Sequence, residues 1–285
     1  MIKMRVSMIP SANNLEFRIQ NPESTPEVFM KDPGNGQQEQ RGIGEKFQQE
    51  TKYFPDRMSG HSLDWEHRPE RYKSYPESVP KIKLPEPKFG KDANFWEAVL
   101  KRRSVRKFSR DLPLPLETLS ALLWAAQGIT AEAGDFHFRT VPSAGGLFPI
   151  ETYVMAEAIE GLGQGIYHFR PYAFDLEFIK PGDFSRDLAQ AALGQDMVAH
   201  AQATFVWTAV VERSKWKYHE RAYRYIYLDA GHIGQNLYLA GTASGLGVCA
   251  IGALYDDAVN ALIGVDGVEE TVVYMASAGW PAKIG

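Results

Sequence analysis

The chain has 285 residues, of which 44% are hydrophobic, and 31 Lys and Arg stand against 35 Asp and Glu for a net charge of −4. This composition is typical of a globular protein with one or two domains, and it excludes disorder along the whole chain. The single cysteine, Cys249, excludes an intrachain disulfide and a thiolate cluster for zinc or iron–sulfur.

The sequence gives no sign of a membrane or nucleic-acid partner. Its longest apolar stretch begins at Ala203 and is far shorter than the roughly 20 residues of a membrane-spanning helix. A slight acidic excess gives no general attraction to nucleic acid, and the first residues lack the apolar core of a secretory signal. We therefore expect a cytoplasmic protein without a metal site.

The first third of the chain differs in character from the rest. Residues 11–50 are rich in Asn, Gln, Gly, Pro and Glu, which bury little apolar surface, so the sequence predicts an arm whose first part is flexible. Between residues 53 and 87 aromatic side chains alternate with six prolines, which prevent long helices. We expect this segment to wrap over its own core or a second subunit. The predicted organisation is an N-terminal arm, residues 1–92, and one folded domain, residues 93–285.

Regular elements are predicted throughout the second region. Asp92 is expected to cap a helix that starts at Ala93, and a second helix is expected to end at Gly128. Strands and helices then follow without the regular alternation of a doubly wound sheet, which favours an α+β fold. Their predicted spans are strands over 136–140, 150–159, 165–170, 175–180, 203–212 and 271–280, with helices over 183–193, 221–247 and 256–265. The helix over 221–247 is the long central one, and any polar group that it buries needs a partner.

The strongest concentration of charge follows the first helix of the folded domain. Residues 71–110 hold twelve basic and four acidic side chains, although the chain as a whole is acidic. Guanidinium groups and a hydroxyl at close spacing suit a phosphate or another planar anion, and a solvated basic face or a weak nucleic-acid patch is the alternative. The residues concerned are Arg102, Arg103, Ser104 and Arg106.

A second candidate is the segment from Val141 to Pro149. Its paired glycines, Gly145 and Gly146, would let the backbone approach a ligand closely, and a turn between two strands would also explain them. Motifs for other chemistries are missing from the sequence. The run after Gly245 fails as a dinucleotide fingerprint because it ends a helix, and no phosphate loop, HExxH motif or serine-hydrolase elbow is present.

Taken together, these segments resemble the FMN-dependent nitroreductase superfamily, and in particular its SagB-type branch of thiazoline and oxazoline dehydrogenases. Four motifs occur in the expected order between about Ala93 and Lys283: RRSVRKF, PSAGGLFPIE, KYHERAYRYIYLDAGHIGQNLYLA and GLG. The resemblance implies a mixed or antiparallel sheet flanked by helices, with the long helix at its centre. It also implies an intertwined homodimer with two FMN sites at the subunit interface.

The resemblance assigns roles to individual residues. Arg102 would bind the FMN phosphate, Arg106 would lie near the pyrimidine edge of the flavin, and Arg103 and Ser104 would complete that part of the site. A fixed cation beside the flavin N1 and O2 raises its electron affinity. The remaining implied FMN contacts are Pro142, Ser143, Ala144, Gly145 and Gly146 from the partner subunit, the turn at Gly252 and Ala253 near flavin N5, and Lys283 at the phosphate.

Lys217 and Tyr218 resemble the Lys-Tyr pair that azoline dehydrogenases are thought to use for proton removal. Hydride transfer from an azoline to flavin N5 leaves a second proton for a base, and a surface location before a helix is the alternative for this pair. The implied function is an FMN-dependent oxidoreductase that passes a hydride through N5, with a peptide azoline or another small molecule as substrate. Two alternatives remain: an NAD(P)H-dependent nitroreductase or quinone reductase, and a non-catalytic flavin-binding protein.

Overall fold

The computed structural model describes residues 42–54, 63–88, 94–134 and 136–282. The chain divides into two compact units, residues 1–47 and 48–285, and the second unit holds all of the strands given below. Lys283 and the first part of the expected arm lie outside the described residues.

The described residues form helices and strands with the following bounds. The helices are α1 (Ile43–Glu50), α2 (Phe95–Lys101), α3 (Leu116–Gln127), α4 (Ser185–Ala191), α5 (Asp196–His200), α6 (Val211–Tyr218), α7 (Ala222–Ala243) and α8 (Asp256–Ile263). The strands are β1 (Lys81–Lys83), β2 (Ile129–Ala133), β3 (Phe136–Arg139), β4 (Ile150–Ala156), β5 (Gly165–Arg170), β6 (Asp175–Pro181), β7 (Ala203–Val210), β8 (Gly247–Ile251) and β9 (Glu270–Gly279).

Seven strands form one antiparallel sheet in the order β1-β6-β5-β4-β7-β9-β8, and β2 pairs with β3 in a separate hairpin. The central strands are buried on both faces because helices cover the sheet on each side. In β7, for example, Phe205 and Trp207 face one hydrophobic cluster and Val206 faces the other. This alternation follows from the period of two in a strand.

The two faces of the sheet carry different helices. On one face α3 and α7 supply Leu119, Leu122 and Leu237 to the larger cluster, and all three side chains are fully buried. On the other face α4, α5 and α8 supply the helical part of the second cluster. The result is a helical layer on each side of an antiparallel sheet, with a long helix of 22 residues against it. The predicted α+β class is confirmed.

Three predicted boundaries were wrong. The first helix of the domain begins at Phe95, where the Asn94 side chain accepts hydrogen bonds from two backbone N–H groups, so Asn94 and not Asp92 is the N-cap. The long helix ends at Ala243 because Gly245 turns the chain with φ +74°. Residues 247–251, expected at the end of that helix, form the edge strand β8 instead. No helix in the described residues is both long and apolar enough to cross a bilayer.

Candidate functional site

The basic segment, residues 102–106, leaves α2 and runs beside the edge strand β8. Ser104 forms a parallel bridge with Val248, and the Val105 N–H donates to the Val248 carbonyl at 2.9 Å. Gly247 permits this approach, since a Cβ there would lie 2.6 Å from the Val105 side chain. The basic segment therefore has a fixed position along the sheet edge.

Tyr238 of α7 ties the basic segment to β8. Its hydroxyl lies 2.9 Å from the Ser104 hydroxyl and accepts a hydrogen bond from the Ala250 N–H at 2.8 Å. The Arg102 guanidinium lies 5.2 Å from the centre of the Tyr238 ring, within the range of a cation–π interaction. A single buried phenol thus places both the hydroxyl and the first guanidinium of the segment.

The three arginines of the basic segment keep their charges uncompensated. None of Arg102, Arg103 and Arg106 forms an ion pair with a carboxylate of the described residues. The Arg103 guanidinium donates to the carbonyls of Leu100 and Arg102 at 3.2 and 2.7 Å. Burial raises the pKa of the Cys249 thiol, and the charge of nearby Arg106 partly opposes that rise. Guanidinium groups without a carboxylate partner can bind an anion from solution.

The glycine loop, residues 142–146, forms a short 3₁₀ turn before β4. Gly145 and Gly146 have φ values of +64° and +66°, the left-handed region in which other residues are strained. The buried Asp229 carboxylate of α7 accepts a hydrogen bond from the Ser143 hydroxyl at 2.6 Å and another from the Ala144 N–H at 3.2 Å. The glycine loop is thus anchored on the long helix.

Lys217 and Tyr218, the last residues of α6, meet the glycine loop. A Cβ on Gly145 would lie 2.6 Å from the Tyr218 hydroxyl and 3.0 Å from Lys217 Nζ. Burial raises the pKa of Tyr218, and the nearby Tyr225 and Asp229 raise it further, so the phenol stays protonated at neutral pH. A donor hydroxyl and an amine therefore stand together against the backbone of Gly145.

A second layer of side chains lies behind this pair. The Tyr218 and Tyr225 rings are 4.6 Å apart, and the Tyr225 hydroxyl accepts a hydrogen bond from Arg221 Nε at 3.1 Å. The Arg221 guanidinium also lies 4.2 Å from the centre of the Tyr53 ring. Burial and the contact with Tyr225 raise the pKa of Tyr53 to about 12. Residues from the segment before the sheet therefore reach the surroundings of Tyr218.

The predicted turn after β8 is exposed. Beside Gly252 there is open space, since a Cβ there would find only the Tyr274 ring, at 4.0 Å. The Ala253 carbonyl accepts a hydrogen bond from the Gln195 side chain at 3.1 Å. Together with the nearby basic segment, this turn forms the edge of the sheet at β8. Lys283, predicted as a phosphate ligand, is not among the described residues.

The two groups of candidate residues lie on opposite sides of α7. Tyr238, which contacts the basic segment, and Asp229, which contacts the glycine loop, are nine residues apart. In an α-helix that separation is about 13 Å along the axis and half a turn around it. No hydrogen bond or ring contact joins the basic segment to the glycine loop within the described part of the chain. One chain brings Lys217 and Tyr218 to Gly145 but leaves the basic segment apart from them.

A cavity of about 570 Å³ lies away from all of these residues, between residues 69–74 and 264–270. Its two basic side chains are neutralised inside the protein. Lys73 pairs with Glu270 and Arg213 pairs with Glu151, each at 2.5 Å. These cations serve the buried network beneath the cavity, in contrast to the unpaired arginines of the basic segment.

The fold and these contacts can be set beside known proteins. A model of the nitroreductase family matches residues 99–280, which is more than half of the chain. The chain belongs to the nitroreductase family. The family resemblance of the RRSVRKF and PSAGGLFPIE motifs is confirmed, and family membership indicates an oxidoreductase.

Two curated relatives are similar in sequence to this nitroreductase-family protein. MJ1384 of Methanocaldococcus jannaschii, which is named as a nitroreductase, is 38% identical over 167 residues, covering 59% of this chain and 82% of its own. TfxB of Rhizobium leguminosarum bv. trifolii, named as a trifolitoxin-processing protein, is 30% identical over 164 residues. That match covers 55% of this chain and 44% of TfxB.

Solved structures show the same fold. A crystal structure from Anabaena variabilis, described as a nitroreductase, superposes with a TM-score of 0.68 and 28% identity over 83% of this chain and 46% of that chain. The Escherichia coli microcin synthetase McbBCD complex with truncated pro-MccB17 gives 0.58 and 20% identity, covering 85% of this chain and 92% of the matched chain. At that identity the second likeness concerns the fold alone.

Four residues of this nitroreductase-family protein were not singled out for the site by the sequence. Asp229 and Tyr238 belong to the motif of the long helix, so a buried polar residue in that motif was the available signal. Tyr225 could be anticipated from Arg221, four residues earlier and therefore on the same helical face. Tyr53 carries no sequence signal, because its contact with Arg221 depends on tertiary packing alone.

Proposed function

We propose that the protein is an FMN-dependent oxidoreductase of the SagB type, which removes a hydride and a proton from an azoline ring. The observation that carries the proposal is the meeting of Lys217 Nζ and the Tyr218 hydroxyl beside Gly145, in the glycine loop that the family resemblance places against the flavin. An amine and a phenol side by side are groups that can carry out proton removal.

The described residues fit FMN in their chemistry. Arg102, Arg103 and Arg106 offer guanidinium donors without a carboxylate partner, which suits a phosphate and the electron-rich edge of a flavin. Gly252 leaves its surroundings open, and Gly146 would meet nothing within 4 Å if it carried a Cβ. FMN, when bound, supplies N5 as the acceptor of the hydride. In this proposal Gly252, Ala253 and Lys283 also contact the cofactor.

Lys217 and Tyr218 divide the remaining work. Lys217 takes the proton that is left when the azoline gives up its hydride, so the ring loses two hydrogens and becomes an azole. The raised pKa of Tyr218 keeps its hydroxyl protonated, so that it can donate a hydrogen bond to the ring or its carbonyl neighbour. Molecular oxygen is the final electron acceptor in this scheme.

We propose an azoline in a peptide as the substrate. TfxB is named for the processing of trifolitoxin, and that name supports a peptide substrate for this chain as well. The second candidate function is an NAD(P)H-dependent reductase of nitroaromatics or quinones. It is favoured by MJ1384, the relative named as a nitroreductase.

The proposed enzyme is a homodimer with shared sites. The basic segment and the glycine loop lie on opposite sides of α7, and in a shared site one flavin would contact the basic segment of one subunit and the glycine loop of the other. The neighbouring helices α2 and α7 also expose large apolar side chains, including Trp96 at 75% and Leu100 at 74%. Exposed apolar surface of this extent marks an interaction site. We propose the same two-part organisation as before, with an arm over residues 1–92 and the FMN-binding domain over 93–285.

An anaerobic reduction experiment separates the two candidate functions. Protein loaded with FMN is mixed without oxygen with a thiazoline-containing peptide, with NADH or with NADPH, and the flavin absorbance is followed. Loss of the flavin band with the peptide, together with formation of the thiazole, supports the dehydrogenase. Rapid bleaching by a nicotinamide and none by the peptide would replace it with the reductase.

A further inference from the structure

Asp229 is a buried carboxylate without a cation. It lies in the middle of α7 with 5% of its surface exposed, and it forms no ion pair with any described residue. Burial raises the pKa of its carboxyl, while hydrogen bonds from Ser143 and Ala144 oppose the rise. Burying a charge without a partner costs free energy, so the carboxylate must be stabilised by hydrogen bonds.

The glycine loop supplies these hydrogen bonds. The Ser143 hydroxyl donates to one carboxylate oxygen at 2.6 Å, and the Ala144 N–H donates to the other at 3.2 Å. The Ser143 oxygen in turn accepts a hydrogen bond from the Phe148 N–H at 2.9 Å. This bond ties the start of the loop to the chain just beyond its end. Each of the two donors thus has a carboxylate oxygen of its own.

We propose that Asp229 is the positioning residue of the glycine loop, and that its two accepting oxygens hold Gly145 against Lys217 and Tyr218 in the geometry that binds the flavin. The inference rests on the proposed function for the identity of the cofactor. Asp229 does not touch the reacting atoms; it acts through Ser143 and Ala144. It belongs to none of the residues that the motifs assigned to the cofactor.

Few charged groups surround Asp229, so the effect of its protonation can be measured in the pH dependence of FMN binding. His232 on the same helix lowers its pKa, and the Tyr218 phenol faces it from α6. The loop contributes a hydroxyl and a backbone N–H, and the other residues that line a small cavity at Asp229 carry no titratable group. Protonation of the oxygen that faces Ala144 would break that contact, and protonation of the other would force the Ser143 hydroxyl to reverse its hydrogen bond while it still accepts the Phe148 N–H, so the loop loosens as the pH falls.

The test compares the FMN dissociation constants of the wild type and Asp229→Asn between pH 4.5 and 8. The amide keeps the size of the side chain but can accept only one of the two bonds, so we expect affinity about tenfold weaker at pH 7. As the pH falls the two constants should converge. Ionisation of the FMN phosphate affects both proteins equally, so the ratio isolates Asp229.

Asn236→Ala is the matched control for lost packing and lost hydrogen bonds in α7. The Asn236 amide donates to the Ala125 carbonyl at 2.9 Å, so its removal lowers stability without altering the loop carboxylate. The control should keep the pH profile of the wild type. A ratio between wild type and Asp229→Asn that stays constant with pH would overturn the proposal.

A measurement on the FMN-free protein separates this inference from the proposed function. If the wild type binds no FMN, the cofactor assignment fails. Amide hydrogen exchange then tests, without the cofactor, whether Asp229 holds the loop. The Ala144 and Phe148 amides should exchange at least ten times faster in Asp229→Asn than in Asn236→Ala. Equal protection in the two variants would show that Asp229 does not hold the loop.

Discussion

The Tyr218 hydroxyl and the α-carbon of Gly145 stand so close that a methyl group on Gly145 would lie 2.6 Å from the phenol oxygen. The two residues are far apart in sequence, and the contact arises because α6 ends where the glycine loop turns toward β4. It places the only side chains assigned to proton removal next to a backbone that must come close to a ligand.

Gly145→Ala tests this contact. The new methyl adds a steric clash with Tyr218 to the strain of a positive φ, so we expect azoline oxidation to fall at least tenfold and stability to fall by about 1–2 kcal/mol. Gly146→Ala is the matched control, because its φ is also positive but a Cβ there meets nothing within 4 Å. Equal losses of activity in both variants would mean that backbone strain, and not the clash with Tyr218, is responsible.

Lys217→Ala tests the role of the amine. Removal of a positioned base typically costs about 10²–10⁴-fold in rate, so oxidation of a thiazoline peptide should slow by about that factor while FMN stays bound. The control is Lys215→Ala, since Lys215 lies on the same helix and pairs with Glu220 at 3.1 Å. Single-turnover kinetics report the difference. Normal rates in Lys217→Ala would assign Lys217 to the surface.

Leu100→Glu tests the shared site. Leu100 is 74% exposed on α2, and a charge there should prevent two copies from burying their apolar helices. We expect a monomer by light scattering, with FMN affinity at least tenfold weaker. Val268→Glu introduces the same charge at a residue that is 78% exposed near β9, and it should leave both properties unchanged. A monomeric variant that binds FMN normally would place the complete site in one chain.

The stability of the protein should depend on Glu157. Burial and the neighbouring Asp183 raise the pKa of this carboxyl to about 7. Because the pKa in the folded state exceeds its unfolded value, the stabilising effect of the proton is complete below pH 4.5 and is lost as the pH rises through 7. Glu157→Gln, which mimics the protonated form, should match the wild type at pH 4.5 and exceed it by about 1–3 kcal/mol at pH 8.5.

Urea unfolding at the two pH values measures this difference. Glu160→Gln, at an exposed residue three positions later, should show no gain at either pH. A gain for Glu157→Gln that is the same at pH 4.5 and pH 8.5 would contradict the assignment of the raised pKa.

The sequence predicted the central elements well because their hydrophobic patterns are strong. The strand over 203–212 has a long apolar run, and the helix over 221–247 has an apolar pattern along its length. The observed β7 and α7 lie within these predicted bounds. Short elements at the sheet edge were missed. β1 has three residues and β8 contains Gly247, so neither has the run of alternating side chains that marks a strand.

For the site, the motifs could be predicted from the sequence, but the contacts between them could not. Ser104 and Gly145 were both predicted as cofactor contacts, with Gly145 from the partner subunit, and within one chain their segments lie against opposite sides of α7. That arrangement depends on the crossing of the chain around the long helix, which local patterns do not encode. The expectation that a buried polar group in that helix needs a partner was confirmed for Asp229, but Ser143 as the partner became known only from the fold.

The most direct test of the whole account is the flavin content of the purified protein, read from its absorbance spectrum after FMN is added and excess removed. We expect the wild type to retain about one FMN per chain and Arg102→Ala to retain at most a tenth as much. Arg186→Ala, which removes an equal charge from an exposed position in α4, should behave as the wild type. A wild-type protein that holds no flavin would contradict the proposed function, and equal retention by Arg102→Ala would contradict the place given to the phosphate.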